Sequence, residues 1–128
     1  TFSDRLIFLL FHFSIFLKIY KSQISKKEGQ EIFDFVIRQI ELSIREIGYG
    51  DVSVNKKMKE FVNLLYSIID KIDSWDLINR DDKIEILANF LNINKNVDFY
   101  VDYFDKYSFF LKNNTLNNFS KELITLKF

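Results

Sequence analysis

Cysteine and proline are absent, and the chain holds only three glycines, one histidine, one methionine and one tryptophan. Without cysteine there is no disulfide, no thiolate metal site and no cysteine nucleophile, which leaves a reducing compartment as the natural setting. So few turn formers in a chain rich in Leu, Ile, Phe and Lys exclude a turn-rich β-sandwich and favour long uninterrupted helices. An excess of charge of one sign is missing too, because 18 basic side chains face 18 acidic ones. No global field therefore draws the protein to DNA or to an anionic bilayer. Residues 1–69 carry +2 and residues 70–128 carry −2, an asymmetry too small to imply a partner.

What is present is an excess of Ile, Asn, Lys, Phe and Tyr, with 15 phenylalanines. These residues are written by AT-rich codons, so the aromatic excess by itself is no binding signal. The 128 residues suit one domain, a size at which roughly two thirds of the unfolded chain's surface can be buried. The helical pattern begins almost at once after Thr1, which reads as a single domain trimmed upstream.

Leu6 to Leu17 is apolar on nearly every face. As a helix it rises about 18 Å, well short of the ~30 Å hydrocarbon core, so a spanning role is excluded. No small-residue cleavage site follows, and Lys18, Tyr20 and Lys21 continue the pattern. The segment reads as a buried central helix, with a membrane-facing or client-holding surface and a targeting segment as rivals. Ser25 and Glu28 form a capping box, and Phe33, Val36, Ile37, Ile40, Ile44 and Ile47 follow at helical spacing up to a stop at Gly48.

Ser53 is read as the cap of a third helix with the stripe Met58, Phe61, Val62, Leu65, Ile68, Ile69, Ile72 and Trp75. Asn79 with Asp82 opens a fourth, faced by Ile84, Leu87, Ala88 and Leu91. After Asn94 to Asn96 a fifth runs through Val97, Tyr100, Val101, Phe104 and Phe110 or Leu111 to Asn113 and Asn114, and a weakly patterned sixth covers Leu116 to Leu126. The expected fold is all-α, a bundle of five to six helices.

Catalysis needs a nucleophile beside a base, two carboxylates in contrasting environments, or ligands at metal spacing. No such set is visible, so no enzymatic activity, metal or cofactor is expected. His12 sits in an apolar run with no Asp or Glu one helical turn away, which suits a core or client-facing histidine. Asp70, Asp73 and Asp76 recur along one face, readable as a weak hard-cation site or as a solvated surface, and the surface is the simpler reading. Gly48 and Gly50 lack the preceding strand, the third glycine and the lysine-serine pair of a phosphate loop. They read instead as a tight interhelical turn, Gly48 reversing the chain and Gly50 giving a positive φ or a close backbone approach. Lys56, Lys57 and Lys59 then fall at the expected start of helix three, where the macrodipole disfavours cations. They are either solubilising side chains or a basic patch for an acidic or phosphate-bearing partner.

The stretch Ser43 to Lys59, SIREIGYGDVSVNKKMK, resembles the signature of the ubiquinol-cytochrome c chaperone family. That signature is a Leu-Arg-Glu-x-Gly-x-Gly-Asp turn, then Ser-Val, a lysine-rich helix start and an aromatic pair. It maps onto Ile44, Arg45, Glu46, Gly48, Gly50, Asp51, Ser53, Val54, Lys56, Lys57, Lys59 and Tyr66, while Gly29, Gln30, Phe33 and Asp34 match a Gly-Gln-x-x-Phe-Asp opening. His12 falls where family members often carry a histidine. The likeness covers roughly residues 5 to 75 and fades beyond Leu91; Leu65-Tyr66-Ser67-Ile68 replaces the family's Phe-Tyr-Gly-Arg.

The resemblance implies an assembly factor for cytochrome b of the bc1 complex (complex III), peripheral to the inner membrane on its cytoplasmic side, or in the mitochondrial matrix. Cytochrome b is the implied partner, with a ribosome, a small partner protein or the membrane surface as further contacts. Arg45, Gly48, Gly50, Asp51, Lys56, Lys57, Lys59, Tyr66 and His12 are the implied partner-binding residues. A peripheral lipid- or membrane-surface-binding module is the first rival, and an enzyme the second.

Overall fold

The computed structural model describes residues 2–114 and is a compact bundle of five α-helices with no strand among those residues. The helices are α1 (Phe2–Tyr20), α2 (Lys26–Glu46), α3 (Asp51–Asp73), α4 (Arg80–Leu91) and α5 (Val97–Lys112), with a 3-10 turn, Trp75–Leu77, between α3 and α4. The sixth helix expected from Leu116 to Leu126 lies outside the described residues.

α1 is the central element. Its Leu6, Leu10, Phe11, Phe13, Ile15 and Tyr20 are buried, and it packs on α3, α4 and α5. It ends at Tyr20, so Lys21 belongs to the following turn and not to the helix. Ring pairs Phe8–Tyr100, His12–Tyr107 and the Tyr20 hydroxyl on the Leu111 carbonyl advance together along both chains, so α5 runs parallel to α1. Phe11 sits between Phe90 of α4 and Phe104 of α5, at 5.7 and 5.4 Å between ring centres, separations at which edge and tilted pairs attract.

α2 is bounded by the expected capping box, in which the Ser25 hydroxyl accepts from the Glu28 amide and the Glu28 carboxylate accepts from the Ser25 amide. It packs on α3, burying Ile40 and Ile44, while Ile47, the last position of the predicted stripe, caps the helix half-exposed. Gly48 follows at φ +102°, and its amide donates to the Arg45 carbonyl. A β-branched side chain is strained there even though the space around it is open. Gly48→Val is therefore expected to lower stability by about 1–2 kcal/mol, read as a shift of the urea midpoint with unchanged slope.

Three details depart from expectation. α3 is capped at Gly50 and not at Ser53, so it starts at Asp51, three residues earlier than a Ser53 cap implies, with the Gly50 carbonyl accepting from the Val54 amide and the Arg45 guanidinium holding Asp51 at 2.7 Å. Gly50 keeps an ordinary φ of −73° and nothing approaches it, so it supplies neither positive φ nor close packing. α3 stops at Asp73, and Trp75 belongs to the 3-10 turn, where it is buried. Its indole N–H donates to Asp105 at 2.9 Å, and the Lys83 ammonium, also bonded to Asp105, lies 5.1 Å from the ring centre. α4 is capped by Asn79, whose side chain accepts from the Asp82 amide as expected, and Leu111, not Phe110, completes the buried face of α5.

Candidate functional site

A groove opens along α1 between α2 and α5. Its floor is Leu6, Leu9, His12, Phe13 and Phe16, its far wall is Phe35, Val36, Gln39, Ile40 and Ser43 of α2, and Tyr107 closes it from α5. The groove holds about 410 Å³. Leu6 to Phe16 gives a floor about 15 Å long at 1.5 Å per residue. Two large apolar side chains stand at its rim in water, Leu9 at 51% and Phe35 at 63% exposure.

The polar groups of the groove are neutral. His12 Nδ1 donates to the Phe8 carbonyl at 2.8 Å, which leaves Nε2 to accept from the Tyr103 hydroxyl at 2.6 Å. Burial pushes the His12 pKa below its ordinary value, and the bond to Phe8 offsets this only in part, so the ring is uncharged at neutral pH. Burial also pushes Tyr107 up to about 12, helped by the neighbouring Tyr103 and Tyr20, and its hydroxyl lies 3.4 Å from the His12 carbonyl. A surface of this kind accepts an apolar partner without stranding a charge.

The other expected site residues stand elsewhere. Arg45 bonds Glu41 at 3.1 Å and Asp51 at 2.7 Å, clamping the turn that Gly48 reverses, so these residues build the α2–α3 connection together with Gly50. Lys56, Lys57 and Lys59 occupy the second and third turns of α3 once the helix is counted from Asp51, and not its first turn and a half. The macrodipole penalty fades beyond the first turn, so it does not apply to them. Lys57 pairs with Glu60 at 3.5 Å and lies 5.9 Å over the Tyr49 ring, while Lys56 and Lys59 point into solvent. Tyr66 is further along α3, stacked 6.0 Å from Phe33 of α2.

The acidic series does not share a helix face either. Asp76 sits in the 3-10 turn, where it receives Lys112 at 2.7 Å and Lys18 at 3.2 Å, and Asp73 lies 3.9 Å from Lys21. Burial would raise the Asp76 pKa, yet the two lysine bonds outweigh it and hold the carboxyl below its ordinary value. Asp76 thereby ties the turn to α1 and α5.

Sequence reasoning missed Phe35, Gln39, Ser43 and Tyr107, while Leu9 belongs to the Leu6 to Leu17 segment for which a client-holding surface is a rival reading. The available signal was Phe35, a large aromatic lying off the α2 stripe of Phe33, Val36, Ile37 and Ile40. No described helix is long and apolar enough to cross a membrane.

Comparison with curated proteins and with solved structures finds no match. The family model described as "Ubiquinol-cytochrome C chaperone" matches residues 1–94, which takes in α1 to α4 and both walls of the α1–α2 groove and stops short of α5. Spanning well over half of the chain, that match shows that the protein belongs to the ubiquinol-cytochrome C chaperone family.

Proposed function

We propose that the protein is a non-catalytic assembly factor that chaperones cytochrome b during biogenesis of the cytochrome bc1 complex, complex III. The observation that carries this reading is the α1–α2 groove, a neutral, apolar channel with Leu9 and Phe35 exposed at its rim on a chain of this family. An apolar helix seats in such a channel by the same logic as other helix-in-groove complexes. The floor accepts about ten residues of helix, half of a membrane-spanning segment, so the client is held while part of it remains free to reach its next partner. Lys56 and Lys59, exposed on the outer face of α3, steer the encounter with an acidic or phosphate-bearing surface of client, ribosome or membrane. The protein works at the periphery of the inner membrane, on its cytoplasmic or matrix side.

Photo-crosslinking in cells tests the assignment. With p-benzoylphenylalanine at position 35, ultraviolet light is expected to give an adduct identified by mass spectrometry as cytochrome b. The same group at Leu77, 88% exposed on the 3-10 turn, is expected to give none. Equal yields at the two positions, or adducts lacking cytochrome b at position 35, would show the groove not to be the client site.

A further inference from the structure

The α1–α2 connection closes one end of a second, larger cleft of about 550 Å³. This volume lies within the range of about 300–1,000 Å³ usual for small-molecule sites. Its floor is Leu17 of α1, Ile24 of the connection, Phe33 of α2 and Ile69 of α3. Its rim carries Lys18, Lys21 and Lys26 against one carboxylate, Asp73. Lys18 is engaged by Asp76, and Lys21 reaches Asp73 only at 3.9 Å with both side chains about 70% exposed. Lys26 makes no ion pair among the described residues. Gly29 and Gln30 form the wall opposite, and a glycine at that helical position forgoes roughly 1 kcal/mol of helix propensity relative to alanine while keeping the wall free of a side chain. Gly29, Gln30, Phe33 and Tyr66, all prominent in the sequence and unused by the groove, thus meet around one cleft.

We propose that this cleft binds a single anionic amphiphile, an acyl chain on the Leu17–Ile24–Phe33–Ile69 floor with its phosphate-bearing headgroup between Lys21 and Lys26. Apolar floor and cationic rim are both needed: the floor alone accepts any alkyl chain, and exposed lysines alone hold a phosphate only weakly. The site shares no lining residue with the α1–α2 groove.

Isothermal titration of the full chain tests this, with 1-lauroyl lysophosphatidylglycerol below its micellar concentration as probe. Dodecyl maltoside, glycerol 3-phosphate and inorganic phosphate serve as comparisons. Lysophosphatidylglycerol is expected to bind one to one with a Kd on the order of 10 μM, and the three comparisons at least tenfold more weakly. Lys21→Ala with Lys26→Ala is expected to weaken it about tenfold. Gly29→Leu, which favours the helix and fills the wall, is expected to weaken it as much or more, with circular dichroism confirming the fold. The proposal is overturned if both variants bind as the parent does, or if dodecyl maltoside binds as tightly, because the rim is then idle. Inorganic phosphate binding as tightly as the lysolipid also overturns it, because the floor is then idle.

Discussion

Trp75→Ala is expected to cost about 3–5 kcal/mol, a third or more of the stability of an ordinary domain, and to lower the melting temperature by roughly 10–20 °C. The indole is 1% exposed and is among the largest fully buried side chains of the core, so its removal leaves a cavity that rigid helices cannot close. Its N–H also anchors Asp105 at 2.9 Å, and its face carries the Lys83 ammonium at 5.1 Å. Trp75→Phe keeps most of the volume and loses the N–H, so about 1–2 kcal/mol is expected, with Asp105 still held by Lys83 at 3.0 Å. Thermal melts followed by circular dichroism separate the two values. Near-equal losses would place the importance of Trp75 in its hydrogen bond and not in its bulk. The turn it occupies also receives Lys18 from α1 and Lys112 from α5 through Asp76. Loosening it therefore disturbs α1, the floor of the groove, and α5, which closes it.

Much of this fold is legible from local chemistry. The ends of α2 and the start of α4 follow from side chains within three residues: the Ser25–Glu28 box, Gly48 at positive φ, and Asn79 bonding the Asp82 amide. The start of α3 departs from the sequence reading because Ser53 offers a cap by residue type alone, whereas the helix opens on the Gly50 carbonyl, with Arg45 reaching Asp51 across the turn. Trp75 reads as part of α3 because Ile68, Ile72 and Trp75 keep helical spacing, and periodicity cannot register that the chain tightens at Ser74. The site was less legible than the fold. Periodicity identifies the apolar side of a helix but not which part of it a neighbour covers, and α1 is apolar all round. Leu9 stays half-exposed because no neighbouring helix covers that face of α1, and that is a tertiary fact. The sequence reading has His12 face core or client; it stands half-buried on the groove floor, and its partner Tyr103 is 91 residues away, beyond any local pattern.

Leu9→Asp with Phe35→Asp is expected to reduce capture of cytochrome b by tenfold to a hundredfold without unfolding the protein. Both side chains are more than half exposed, so the substitutions act on solvated positions, where effects on stability stay within about 0.5 kcal/mol each. In the proposed complex the same positions face an apolar helix, and a carboxylate must either shed its hydration or hold the client away. Losing an aromatic anchor commonly costs 2 kcal/mol or more, and each 1.4 kcal/mol is a factor of ten in affinity. Replacing Lys56, Lys57 and Lys59 by Glu gives the necessary contrast. Exposed cations act on encounter more than on the bound state, so that triple variant is expected to slow association several-fold at low salt and to match the parent at high salt. Both variants are measured by co-purification of cytochrome b with the tagged chain at two salt concentrations, with circular dichroism confirming that each is folded. A folded groove variant that captures cytochrome b as the parent does, beside a lysine variant that fails at both salt concentrations, would move the client site from α1 and α2 to the outer face of α3.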